Sequence, residues 1–242
     1  MDRYDPISSW HAAADHYDDE RRGDEEVALA FLAGIARGGP ALELAIGTGR
    51  IGLPLAATGV RVDGVDLSPA MVAKLRGKPG GDELAVTIGD FADVPVPGTY
   101  RLVYVVFNTL FNLPTQEQQV HCFERVARHL TDDGVFVVEA FVPAYLHLLR
   151  DGQYVDAEAI HPDEVRLDVG RHDPVAQLLD ESHVSITADG IRLSPVVTRY
   201  AWPSELDLMA RLAGLRLHDR WADWERRPFT SASRSHVSVF GW

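Results

Sequence analysis

The sequence predicts an α/β fold built on a doubly wound parallel sheet, and three observations carry that expectation. Five short apolar runs rich in branched residues, "ALELA" (41–45), "RVDGV" (61–65), "LAVTI" (84–88), "LVYVVF" (102–107) and "VFVVEAF" (135–141), suit strands buried on both faces. Helical stretches lie between them, so strand and helix alternate five times. The chain closes on two apolar runs, "LRLHDRW" and "HVSVFG", too near each other for a helical crossover and therefore antiparallel.

In chain order, a polar, acidic opening leads into "EEVALAFLAGIARGG", where apolar residues recur at helical spacing before Gly38 and Gly39 end the segment. This opening, residues 1–40, is read as an N-terminal helical arm. Ser68 followed by Pro69 reads as an N-cap and a first-turn proline. Thr115 with Gln118 reads as a capping box for a helix running to His129. Residues 41–142 and 201–242 form the core. Between them, residues 143–200 break the alternation: "EVRLDVGRH", "AQLLDESHVSIT" and "GIRLSPVVTRYAW" read as antiparallel strands joined by turns at Asp173-Pro174 and Ala188-Asp189-Gly190. An insertion after the fifth strand leaves from the ligand edge of the sheet, where it either covers a substrate or forms an oligomer interface. "PSELDLMARLAG" then reads as a helix opened by Pro203 and closed by Gly214.

Composition narrows the partners. A formal charge of −13 disfavours nucleic acid and anionic membranes, leaving a small molecule as the expected partner. The single cysteine, Cys122, excludes an intrachain disulfide framework and a cysteine-rich zinc site. The opening is too polar for a signal peptide and no apolar run is long enough to span a bilayer, so the chain is read as cytoplasmic.

The segment "ELAIGTGRIG" contains G-x-G-x-x-G at Gly47, Gly49 and Gly52. Such a loop suits a dinucleotide pyrophosphate, but it equally suits any ligand pressed against a strand-to-helix turn. The acids decide between them. Glu43 precedes the loop, Asp66 ends the second strand and Asp90 ends the third, with no base in this set to answer a pyrophosphate. A nucleoside carrying a cationic amino acid fits three such acids better.

At this point "LELAIGTGRIGLPLA", "VDGVDLSPAMVAKL", "GDFADVP", "YVVFNTLFNL" and "FERVARHLTDDGVFVVEAF" together resemble, in order and spacing, the motifs of class I S-adenosylmethionine-dependent methyltransferases. The chain is similar to small-molecule enzymes such as sugar N-methyltransferases, and the resemblance spans about residue 15 to the C-terminus apart from the insertion. It implies a Rossmann-like, seven-stranded, mostly parallel sheet with an antiparallel last strand, and S-adenosyl-L-methionine as cofactor with S-adenosyl-L-homocysteine as product. Ala45 stands where the family's first loop glycine is usual, a change tolerated where the backbone keeps negative φ. By the resemblance, Gly47 and Gly49 let the backbone close on the cofactor while Glu43 orients the loop and the amino group. Asp66 accepts the ribose hydroxyls, Leu67 and Met71 sandwich the adenine, Asp90 accepts from its amine and Phe91 covers its edge. Phe107 and Asn108 present carbonyls near the sulfonium.

Methyl transfer from a sulfonium is an in-line displacement, so alignment and water exclusion supply most of the rate. Tyr17, in the arm, is a candidate for touching cofactor or acceptor. Asn112 stands where many similar enzymes carry a histidine, and an amide cannot accept a proton at neutral pH, so a simple histidine-base mechanism is not expected. The ten histidines show no metal-ligand spacing, and no metal is expected. Tyr145, His147, Tyr154, His161, Arg199, Trp221, Trp224 and Phe229 are candidates for an aromatic acceptor wall, or for a homodimer interface. The favoured reading is methylation of a small metabolite at N or O. The alternatives are an inactive cofactor-binding module and, more weakly, a nicotinamide oxidoreductase.

Overall fold

Tyr100–Val105 and Leu130–Phe141 run side by side through the middle of the molecule, and their alternate side chains go to opposite apolar layers. The computed structural model describes residues 5–19, 22–149 and 152–242. In chain order these hold α1 (Pro6–Ala13), α2 (Glu25–Ala36), β1 (Ala41–Leu44), α3 (Gly52–Ala57), β2 (Val62–Asp66), α4 (Pro69–Arg76), β3 (Ala85–Ile88), β4 (Tyr100–Val105), α5 (Gln116–Arg128) and β5 (Leu130–Phe141). A second sheet follows, β6 (Gln153–Ile160), β7 (Glu164–Asp173), β8 (Leu178–Thr187) and β9 (Gly190–Arg199), and then α6 (Pro203–Leu212), β10 (Arg216–Trp221) and β11 (Ser235–Gly241). The main sheet has the order β10-β11-β5-β4-β1-β2-β3, with β11 antiparallel to both neighbours and the other pairings parallel. Chain direction across the sheet reverses between β1 and β4, and the crevice beyond their carboxyl ends is where such sheets bind ligands.

Leu102 and Tyr104 join the apolar layer under α2 and α3, while Val103 and Val105 join the layer under α5 and α6. The caps are as expected: Ser68 Oγ accepts the Met71 N–H at 3.3 Å and Thr115 Oγ1 accepts the Gln118 N–H at 3.1 Å. Among the described residues no helix is long and apolar enough to cross a membrane.

Three expectations need correcting. No helix joins β3 to β4: "GDFADVPVPGT" carries Pro95 and Pro97, which remove backbone donors, and Val94 takes φ +47. The alternation is therefore interrupted once. The insertion has four strands, because "QYVDAEAI" also pairs, antiparallel to β7. Its interleaved acids and exposed edge position hid it from an apolar-run search. Arg199 belongs to no acceptor wall. It is buried, bonding Gln119 Oε1 at 2.7 Å, Gln177 Oε1 at 2.9 Å and Glu205 Oε1 at 2.7 Å, while Gln119 returns a bond to the Arg199 carbonyl at 2.7 Å.

This network fastens the second sheet to α5 and α6. Removing one partner of a buried ion pair leaves the other uncompensated, which costs about 3 kcal/mol at the lower end of such losses. Arg199→Ala is therefore expected to lower the urea-unfolding free energy by that amount. A loss below about 1 kcal/mol in the same titration would show that the network is not the anchor.

Candidate functional site

The turn after β1 is organised by a carboxylate. Asp66, the last residue of β2, accepts the Gly47 N–H through Oδ2 at 2.7 Å and the Ser68 N–H through Oδ1 at 2.8 Å. It ties the glycine turn to the N-terminus of α4. Burial raises its pKa, and the two backbone bonds oppose that rise. Gly47 has φ +57, and a Cβ there would meet nothing nearer than the Ala45 carbonyl at 4.0 Å, so the backbone faces open space.

Glu43 lies beneath the turn. Its Oε2 accepts the Tyr104 hydroxyl at 3.1 Å, and the carboxyl also takes the Gly52 N–H. A Cβ on Gly52 would stand 2.5 Å from Glu43 Oε2, which is why the third glycine of the motif has no side chain. Burial pushes the Glu43 carboxyl up to about 8, so it is mostly protonated at pH 7.

Above the turn two cavities meet. The smaller, about 170 Å³, is lined by Ala45, Gly47, Asp66, Leu67, Met71, Asp90, Phe91 and Asn112, with Trp10 and Tyr17 of the arm across from them. The larger, about 700 Å³, lies between the arm, Arg50, Phe107 and the second sheet. Trp10 and Tyr17 border both. The arm is pinned there by polar contacts: Lys74 to Asp15 at 2.6 Å, Lys78 to Asp18 at 2.7 Å, and Thr48 Oγ1 to Asp18 at 2.7 Å. The Arg50 guanidinium bonds the Tyr17 carbonyl and lies over its ring, 4.5 Å from the centroid. Burial holds the Tyr17 phenol above its ordinary pKa, with Arg50 opposing, so Tyr17 stays protonated at neutral pH.

The sequence-predicted residues divide accordingly. Phe107 lines only the larger cavity; its N–H is held by Glu139 at 2.8 Å, and Arg22, itself paired with Glu139 at 2.6 Å, lies over its ring. Glu43, Gly49 and Asn108 line neither. Gly49 packs against Leu53, and the Asn108 side chain accepts the Phe141 N–H at 2.7 Å. Asp90 caps the next turn by accepting the Ala92 N–H at 2.9 Å.

Two expectations fail here. Ala45 does not keep negative φ: it sits at +54, ending β1 one residue early so that the turn can reach Asp66. The aromatic wall is absent as well. Trp221 and Trp224 pack on Phe31 at 5.5 and 5.3 Å between ring centroids, away from both cavities. Tyr145, Tyr154, His161 and Phe229 do not line the larger cavity, and the His147 side chain lies outside the described residues. Strand alternation turns polar side chains inward instead: Glu158, Glu164, Arg166, His183, Ser185 and Arg192. Trp10, Arg22 and Arg50 were not singled out from the sequence. Arg50, directly after the second loop glycine, carried a positional signal; the others carried none.

A methyltransferase domain profile matches residues 41–134, the stretch holding β1 to β4, the turn and the start of β5. The structure of the CcbJ methyltransferase from Streptomyces caelestis is 39% identical, covering 98% of this chain and 99% of that one, with a TM-score of 0.93. The chain belongs to the class I S-adenosylmethionine-dependent methyltransferases. A curated relative, the cypemycin N-terminal methyltransferase of a Streptomyces species, is 28% identical over 82% of this chain and 81% of its own length. A S-adenosylmethionine-bound amino pentose methyltransferase from Micromonospora echinaspora shares the fold at 22% identity, covering 96% and 92% of the two chains, with a TM-score of 0.67.

The methyltransferase thus carries an L-residue in a left-handed conformation in the turn after β1, which costs roughly 1 kcal/mol against glycine. Ala45→Gly is expected to raise stability by about that amount in chemical denaturation. An unchanged or lowered midpoint would mean that the Cβ contacts outweigh the backbone strain.

Proposed function

We propose that this methyltransferase transfers its methyl group to a nitrogen of a small polar acceptor held between the arm and the inward face of the second sheet. The observation that carries this reading is the junction at Trp10 and Tyr17, where a pocket fit for a nucleoside opens beside a larger, charged and hydroxyl-lined cavity. The name of the cypemycin N-terminal methyltransferase favours nitrogen over oxygen.

S-adenosylmethionine supplies an electrophilic methyl on a sulfonium sulfur. The residues fit its parts. Each Asp66 oxygen spends one lone pair on the turn and keeps another for a ribose hydroxyl. Leu67, Met71 and Phe91 offer apolar walls to adenine, and Asp90 an acceptor for its amine. Gly47 admits the backbone closely, with Gly49 and Ala45 shaping the turn and Glu43 supporting it from below. The Phe107 and Asn108 carbonyls would lie toward the sulfonium. Tyr17 would donate to or orient the acceptor, and Asn112 would orient a polar group. Closing the arm over both pockets aligns the reactants and excludes water.

Calorimetric titration is expected to give micromolar S-adenosylmethionine and S-adenosylhomocysteine binding with no NAD binding. Asp66→Ala should weaken it by about 1.5–3 kcal/mol, the size of lost charge-assisted hydrogen bonds. An unchanged Kd in the folded variant, or tight NAD binding, would refute the site assignment. Turnover of amino sugars or peptides with a free N-terminus should survive dialysis against a chelator. Intact cofactor binding without turnover of any such amine would favour the inactive-module reading.

The outward face of the second sheet supports a homodimer. Direct pairing places Val165, Ile186 and Ile191 in one row, Leu167, Val184 and Leu193 in the next, and Val155, Val169, Ser182 and Pro195 in a third. Val155, Ile191 and Leu193 are each about two-thirds exposed (69%, 68% and 65%). Four strands of about ten residues present roughly 600 Å². Two copies face to face would therefore bury roughly 1,200 Å², the lower bound of a stable interface. Sedimentation should give a dimer for the native chain and a folded monomer for Leu193→Glu. A native monomer at 100 µM would eliminate this interface.

A further inference from the structure

On the inward face of the same sheet, Asp168 and His183 stand directly opposite one another in the β7–β8 register. His183 Nδ1 lies 2.6 Å from Asp168 Oδ1, and His183 borders the larger cavity. We propose that His183, oriented by Asp168, is the group that takes the proton from the acceptor nitrogen. This rests on the reading of the larger cavity as the acceptor site.

The chemistry requires such a group, because an aliphatic amine is cationic at neutral pH and has no lone pair to offer. Tyr17 is already protonated, and Asn112 cannot accept. The Asp168–His183 pair is suited to the task. With Nδ1–H donated to the carboxylate, the neutral ring keeps its lone pair on Nε2, and among the described residues no side chain bonds that nitrogen. Both residues sit on paired strands, which fixes the ring more firmly than a loop would.

One rival pair borders the cavity: His16 Nδ1 lies 3.2 Å from Asp19 on the arm, three residues apart on a turn. Its longer contact and irregular backbone orient the ring less well. A metal is the other reading to weigh, since Glu158, Asp168 and His183 bring ligand atoms within 4.8 Å of one another. The short Asp168–His183 bond already occupies two of these groups, and the Arg166 guanidinium stands 3.8 Å from Glu158. Proton transfer uses the arrangement as it stands.

The charges around the ring favour its protonation. The Asp168 bond raises the His183 pKa most, the Asp168, Glu181 and Glu158 charges add to it, and burial opposes. Glu164, Arg166 and Arg192 on the inward face, and His16, Tyr17, Asp19, Arg22 and Arg50 across the cavity, are the other charged or titratable groups that border it. In the step, the ammonium N–H proton passes to Nε2, and the freed nitrogen lone pair forms the N–CH₃ bond. The CH₃–S bond breaks with its electrons staying on sulfur, and His183 then returns the proton to water. Because the base form of His183 is needed, kcat/KM should rise with pH through a value above the ordinary 6.5.

Two measurements on the full chain test this. In the S-adenosylhomocysteine complex, ring ¹⁵N shifts, assigned by His183→Gln, should show a titration that moves to lower pH in Asp168→Asn. In the amino sugar and peptide assay, His183→Gln should lower kcat on the order of 100-fold or more and lose the rising pH limb, with the cofactor Kd unchanged. His16→Gln should keep that limb. Wild-type rate and pH profile in His183→Gln would overturn the proposal, as would a His183 titration unmoved by Asp168→Asn. If cofactor binds and no amine is turned over, the function reading fails on its own, while the ¹⁵N titration still decides the pair.

Discussion

The double acceptance by Asp66 is the constraint on which the rest of the site depends. By holding the Gly47 and Ser68 N–H groups, it joins the ends of two neighbouring parallel strands and sets where the turn after β1 and the start of α4 sit. A carboxylate is suited to this because it accepts several bonds at once and gains strength from a dry setting. Ala45 in this turn takes φ +54, and Phe107 and Asn108, after β4, take +59 and +61. Those last two are kept in place by Glu139 and by the Asn108 side chain bonding Phe141. Strain of this kind persists only where surrounding bonds over-determine it.

Upon this floor the arm forms one side of a chamber through more exposed contacts, and the second sheet forms the other through a buried network. The arm is held by surface ion pairs, individually weak in water, and by Arg50 stacking on Tyr17. The second sheet is tied by the buried Arg199 network, so its position relative to α5 and α6 is far less free. A fixed roof and a lightly pinned arm together suit a site that admits a polar acceptor and then excludes water.

The two faces of the second sheet have opposite chemistry, and each suits a different neighbour. The inward face carries titratable and hydroxyl groups toward the larger cavity, and the outward face carries rows of aliphatic residues beside the Arg171–Asp180 ion pair. Covering a substrate and forming an interface are therefore compatible roles for one insertion, because alternate residues of a strand point to opposite sides.

The sequence by itself determined the parallel core, its caps and the final antiparallel pair, and it marked most of the residues that line the smaller cavity. Those features have local signatures: an acid at a strand end, a glycine turn and an N-cap are each visible within a few residues, and a buried strand shows itself as an apolar run. Only the tertiary structure decided the rest. Pairing across β7 and β8 brings Asp168 to His183, fifteen residues away, and no spacing rule announces it. Ala45 takes positive φ in the turn whose Gly47 N–H bonds Asp66, nineteen residues on, and the local sequence does not encode that conformation. Trp221, Trp224 and Arg199 are candidates for an acceptor wall or an interface by residue type, but side-chain destination is set by which layer an element packs against. The edge strand β6 stayed hidden because an exposed strand needs no apolar run, and its pairing with β7 alone makes it a strand.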